Sequence, residues 1–221
     1  MKTFKTMLKT ELKLSLRGMD MFIFAICMPV VVIVLLGIIY GDKPAFADAE
    51  YTFLQQSFGA VSTIAICAGG LMGLPLVVSD YRNRKILKRL KVTPVKPITI
   101  LLVEITIYCI YSLVSLALIY LVAFLFFDFQ IIGSFWQFFL SFVLVMLSMF
   151  SIGMMVGGIA PNMKIASTVA SILYFPMLIF SGATLPYEIM PNALQNFANI
   201  LPLTQGCLLY TSDAADEARS V

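Results

Sequence analysis

Few residues of this chain are equipped for chemistry. It contains no histidine, which excludes imidazole general bases, His-ligated zinc and His–carboxylate proton relays. The serines on its apolar segments have no histidine or lysine placed to activate them. No GxxxxGK[ST] loop is present, so ATP is not hydrolysed by that route. Cys27, Cys67, Cys109 and Cys207 are scattered without a CxxC pair and read as small buried hydrophobes, neither disulfides nor metal ligands. Glu104 is different. It lies inside an apolar stretch, where a carboxylate is costly to bury and is a functional candidate for that reason. It also lies only about two helical turns beyond Pro97, from where it can reach the interface and pair with Lys96 or Arg89. The densest set of charges is the run from Asp80 to Pro97, DYRNRKILKRLKVTPVKP. There Arg82, Arg84, Lys85, Lys88, Arg89, Lys91 and Lys96 stand against a single acid, Asp80. These residues are equipped to bind, not to catalyse.

The elements that carry them are membrane helices. The 221 residues are 60% hydrophobic and 12% charged, against about 45–50% and roughly 25% in soluble domains. Five stretches are long enough to cross the roughly 30 Å apolar core of a bilayer: residues 21–40, 57–79, 98–127, 135–160 and 165–183. Pro29 lies in the first and Pro176 in the fifth, both tolerated in membrane helices. Ala65, Gly69 and Gly73 fall four apart, and Gly153 and Gly157 repeat the spacing, as surfaces that let helices approach closely. The expected fold class is all-α, polytopic.

Ahead of the first span, residues 1–20 place Phe4, Met7, Leu8, Leu12, Leu16 and Met19 on one helical face. Lys2, Lys5, Lys9, Lys13 and Arg17 lie opposite. That is the pattern of an amphipathic helix lying in the membrane interface. No convincing signal-peptide cleavage site follows Gly37. Lysine and arginine are concentrated in the N-terminal segment, the 80–97 loop and the 161–164 connection, with Lys43 alone on the other side. The positive-inside rule then predicts a cytoplasmic N-terminus and a multi-pass protein of the cell membrane. Residues 184–206, marked by Pro186, Pro191 and Pro202, predict a short helix near the outer surface between Glu188 and Leu201.

Within the basic loop, Ile86, Leu87 and Leu90 give a short helix one small apolar face, and Thr93-Pro94 stops it. A lipid anchor, gaining about 1 kcal/mol per basic residue, needs neither that face nor a rigid stop. A docking helix needs both. Nucleic-acid binding is weakly supported, because Tyr81 is the one aromatic available for stacking.

Two segments carry a specific resemblance. VVSDYRNRKILKRLKVTPVKPITILLVEI looks like the first cytoplasmic loop of ABC-2 type transporter permeases. FSGATLPYEIMPNALQNFANILPLTQG resembles that family's external re-entrant region. With five matching spans, the resemblance covers nearly all of residues 1–207. It implies the membrane subunit of a drug- or antibiotic-exporter-like system of the multidrug-resistance kind, which moves a lipophilic or amphipathic substrate outward. Such a subunit is not itself an enzyme. It has no cofactor of its own, since ATP and Mg²⁺ are held by a separate ABC ATPase, and it pairs with a second permease copy. The resemblance assigns ATPase coupling to Ile86, Leu87, Lys88, Arg89, Leu90, Thr93 and Pro94, and an external gate to Pro186, Pro191 and Pro202. Glu104 stays a possible intramembrane polar site.

The chain departs from the family pattern at its end. The family's sixth span is missing, and residues 208–221 (LYTSDAADEARSV after Leu208) read as a non-native tail on a truncated frame. Two other classes stay open on the residues alone. One is an ion-coupled secondary transporter, which normally needs more midplane ionisable groups than Glu104 and often an internal repeat. The other is a non-transporting anchor or immunity-type protein. The substrate is not legible.

Overall fold

A computed structural model describes residues 2–18, 22–41, 52–86, 96–127, 129, 134–180 and 191–205. Over these residues the chain is helical: α1 (Lys2–Gly18), α2 (Ile23–Tyr40), α3 (Phe53–Asn83), α4 (Pro97–Phe127), α5 (Phe135–Ile159), α6 (Met163–Phe180) and α7 (Asn192–Ala198). Helices α2 to α6 are each long and apolar enough to cross a membrane.

The bundle is built around α3. Of its most apolar stretch 83% is buried, against 17% for α6, because α2, α4, α5 and α6 all pack on it. Its composition suits that position. Gly70 on α3 meets Gly153 on α5 so closely that a Cβ at Gly153 would overlap the Gly70 carbonyl oxygen. One turn on, Gly157 lies against Pro75 and Val78. On another side, Gly69 and Gly73 leave a groove filled by the ring of Tyr108 from α4. Both small-residue stripes read from the sequence are therefore helix contacts, one against a backbone and one against an aromatic ring.

Helix α3 starts and ends outside the 57–79 range. At its start, Thr52 and Gln55 form a capping box. The Thr52 N–H donates to Gln55 Oε1 at 2.8 Å and the Gln55 N–H to Thr52 Oγ1 at 3.3 Å, satisfying donors the first turn would leave orphaned. At its end, Arg84 Nε donates to Asp80 Oδ1 at 2.8 Å, one turn apart. The first residues of the expected loop are thus the last turn of α3. Two π-helical turns interrupt the bundle, Ile23–Cys27 in α2 and Ala68–Gly73 in α3. Each ends two residues before a proline, Pro29 and Pro75. A proline has no N–H and crowds the carbonyl four residues back, so a widened turn relieves the clash.

The remaining junctions have equally local causes. Pro97 opens α4, in a position where a missing N–H is harmless. Asn162 caps α6, its Oδ1 accepting from the Ile165 N–H at 2.9 Å, so this helix begins at Met163. Near the N-terminal end of α3, Phe58 stacks on Phe129 with centroids 4.5 Å apart, beside Phe138. Beyond α6, Leu203 and Thr204 return to the core, and Thr204 Oγ1 donates to the Phe180 carbonyl at 3.0 Å. Outward faces of α2, α4, α5 and α6 expose Leu35, Leu125, Leu140 and Ile172, as expected where lipid is the solvent.

Helix α1 is more than an interface float. Phe4, Met7, Leu8 and Leu12 pack on the bundle core, α1 lies along α4, and Tyr111 Oη donates to Ser15 Oγ at 2.9 Å. Lys5, Lys9, Lys13 and Arg17 face outward. Leu16, expected on the apolar face, is exposed, and Ser15 beside it is the residue that meets Tyr111 of α4.

Candidate functional site

The residues to which the resemblance assigns ATPase coupling follow the last turn of α3. Arg84 and Lys85 turn away from the helix, Arg84 N–H donating to the Asp80 carbonyl at 2.9 Å and Lys85 N–H to the Arg82 carbonyl at 3.0 Å. Lys85 takes φ 56°, the left-handed conformation that commonly ends a helix. Ile86 follows, half-buried. Leu87, Lys88, Arg89, Leu90, Thr93 and Pro94 lie outside the described residues.

Arg82 is not a free loop cation. Its guanidinium donates to the carbonyls of Gly157 (3.2 Å), Gly158 and Ala160 (3.3 Å), at the C-terminal end of α5. Those carbonyls have no further helical N–H to accept, and they form the negative end of the helix dipole. Arg82 thereby ties the root of the loop to the α5–α6 junction. Of the basic residues read as one patch, Arg82 and Arg84 are engaged within the protein, while Lys85 and Lys96 are exposed.

Glu104 does not pair with Lys96. It is 5% exposed, and its Oε1 accepts a hydrogen bond from Tyr81 Oη at 2.8 Å, across from α4 to α3. The buried carboxylate is satisfied by a phenol one turn inside the membrane end of α3, which leaves Lys96 free to face outward. Glu11 of α1 is close enough to interact electrostatically with both Tyr81 and Glu104. Together they line a cavity of about 330 Å³ between α1, α3 and α4, with Ser15, Leu76, Val77, Asp80, Tyr108 and Met163 in its wall.

Sequence reasoning missed Glu11, Tyr81 and Tyr108 as members of one site. Two signals were available. Glu11 is the one acid in a helix of lysines and falls on the inward i, i+4 register of Met7 and Ser15. Tyr108 is four residues after Glu104, on the same face of α4. Among the described residues no group of three potential ligands could hold a metal ion. Pro191 precedes α7 and is exposed, its carbonyl accepting from Leu194 at 2.9 Å, and Pro202 is half-buried beside Leu203. Pro186 lies outside the described residues. The structure does not bring Pro191 and Pro202 into contact with the Glu104 cavity.

These features define an all-α, multi-pass membrane protein with a cavity near the Asn83 end of α3. The family model of the ABC-2 type transporter matches residues 2–208. The chain belongs to that family and is the membrane component of an ABC-type transporter, a permease and not its ATPase. No curated protein and no solved structure matches it.

Proposed function

We propose that this chain is the membrane subunit of an ATP-driven exporter, carrying a lipophilic or amphipathic substrate out of the cytoplasm or inner leaflet. Family membership over residues 2–208 is the observation that carries the reading. ATP and Mg²⁺ would be bound by a separate ABC ATPase, and a second permease copy would complete the path. The N-terminus and the 84–96 loop face the cytoplasm of the cell membrane, in keeping with the concentration of lysine and arginine there.

In this reading the segment Ile86 to Pro94 docks on the ATPase, with Ile86, Leu87 and Leu90 as apolar contacts and Lys88 and Arg89 flanking them. Thr93-Pro94 sets its return to the membrane. The tie between Arg82 and the end of α5 supports a lever, because a push on the loop would be felt by α3 and α5 together. Pro186, Pro191 and Pro202 would shape the external gate. The test is co-expression with a candidate ABC ATPase, followed by affinity purification and an export assay. Leu87→Asp with Leu90→Asp should abolish both co-purification and ATP-dependent export while leaving the permease in the membrane. Intact association and export in that variant would remove the docking role. Transport that persists without ATP and collapses with the proton gradient would instead mark an ion-coupled carrier.

A further inference from the structure

We infer that the cavity between α1, α3 and α4 is a binding site for an organic cation, a protonated or quaternary amine carrying an apolar or aromatic body. Three observations on different helices converge on it. The cavity, about 330 Å³, is at the small end of the range typical of small-molecule sites. Two of its acids carry no ion pair among the described residues: Glu11 on α1 and Glu104 on α4. The third acid, Asp80, is already paired with Arg84. The wall, which Arg84 also lines, therefore holds two carboxyl groups without an ion pair beside the Asp80–Arg84 pair, and none of the described lysines of α1 lines it.

The second observation is Tyr108. It is 2% exposed and lines the cavity, yet its hydroxyl makes no hydrogen bond among the described residues. A tyrosine ring beside carboxylates is a recurring receptor for ammonium ions. The third is the apolar part of the wall, Leu76, Val77 and Met163, which suits a hydrophobic body and gives a bare inorganic ion nothing. An aminolipid headgroup offers the same amine but brings a phosphate, which two carboxylates would repel. The occupant is therefore a cation with no anion attached. This rests on the exporter reading for the direction of travel, while binding itself requires no ATPase.

The test is equilibrium dialysis of radiolabelled benzyltrimethylammonium against the full chain purified in detergent. Neopentylbenzene, which has the same shape without the charge, serves as competitor. Saturable binding is expected, weakened about tenfold by Glu104→Gln and by Glu11→Gln, and barely displaced by the neutral competitor. Val77→Trp, which fills the cavity and leaves both acids in place, should abolish it. Should Glu104→Gln fail to fold, Glu11→Gln decides, since it lies on a half-exposed position of α1. The proposal is overturned by any of three results: no saturable binding to the folded chain, unchanged affinity in Glu11→Gln, or equal competition by neopentylbenzene. Cation binding without ATP-dependent export would sink the exporter reading and leave the site standing. Export without cation binding would do the reverse.

Discussion

The Arg82 guanidinium donates to the Gly157 carbonyl at 3.2 Å, joining the last turn of α3 to the end of α5. It reaches the Gly158 and Ala160 carbonyls as well, so one side chain closes a helix terminus that its own chain leaves open. All three contacts are made by Nη1, which the planar guanidinium holds in place more firmly than the flexible stem of a lysine would hold an ammonium.

Arg82→Ala is therefore expected to cost about 1–3 kcal/mol, the range for hydrogen bonds to a charged group. Arg82→Lys should recover only part of that. Thermal unfolding in detergent measures the loss. In the exporter reading both variants should also lower ATP-dependent export more than they lower association with the ATPase. Full recovery of stability in Arg82→Lys would show that the guanidinium geometry is unimportant.

The α3–α5 contact makes a sharper prediction from two neighbouring glycines. A Cβ at Gly153 overlaps the Gly70 carbonyl oxygen, and that atom is backbone and cannot swing aside. Gly158, one and a half turns on, has nothing within 4 Å of such a Cβ. Gly153→Ala should force the helices apart at about 1–3 kcal/mol or more. Gly158→Ala should be neutral, or stabilising by up to about 1 kcal/mol through helix propensity. Unfolding midpoints of the two variants, measured side by side, check this. Equal behaviour would remove the close contact.

At the opposite end of α3, Thr52 holds the first turn through its side chain and its own N–H. Thr52→Ala is expected to destabilise by about 1 kcal/mol, the usual worth of an N-cap. Thr52→Ser keeps the oxygen and should restore most of it. Hydrogen exchange confined to residues 53–56 should rise in the alanine variant alone. Uniform change along α3 would mean that the cap is not what starts this helix.

How far the sequence reached depended on the range of the interaction. The five spans were legible because twenty apolar residues in a row have one stable solution in a bilayer. The glycine stripes were legible as close-packing surfaces, but their partners were not: nothing local distinguishes Gly73 under a tyrosine from Gly153 against a carbonyl. Arg82 read as one basic residue among seven in the 80–97 run. Its role needs α5, 75 residues further on. Glu104 was legible as an anomaly, and its partner was sought among cations because an ion pair is the obvious answer to a buried charge. The answer here is a phenol 23 residues away. Glu11 was overlooked because an acid among lysines looks like a solvated face until α4 is placed beneath it.

The Tyr81–Glu104 pair yields the last prediction. Tyr81 Oη is the one donor that Glu104 Oε1 has among the described residues, and the carboxyl group is 5% exposed. Tyr81→Phe leaves that group buried with nothing to accept from. Glu104→Gln keeps an acceptor for the phenol, and should cost less. Glu104→Leu alone strands the phenol, while Glu104→Leu in the Tyr81→Phe background removes both polar partners and should cost less than the Tyr81→Phe and Glu104→Leu losses added together. The coupling energy from the double-mutant cycle is expected at about 0.5–1.5 kcal/mol, since hydrogen bonds between membrane helices are modest. Chemical unfolding in mixed micelles gives each corner of the cycle. Strict additivity would mean that Tyr81 and Glu104 are neighbours without being partners, and the wall of the cavity would then owe its shape to Tyr108 and the glycines beneath it.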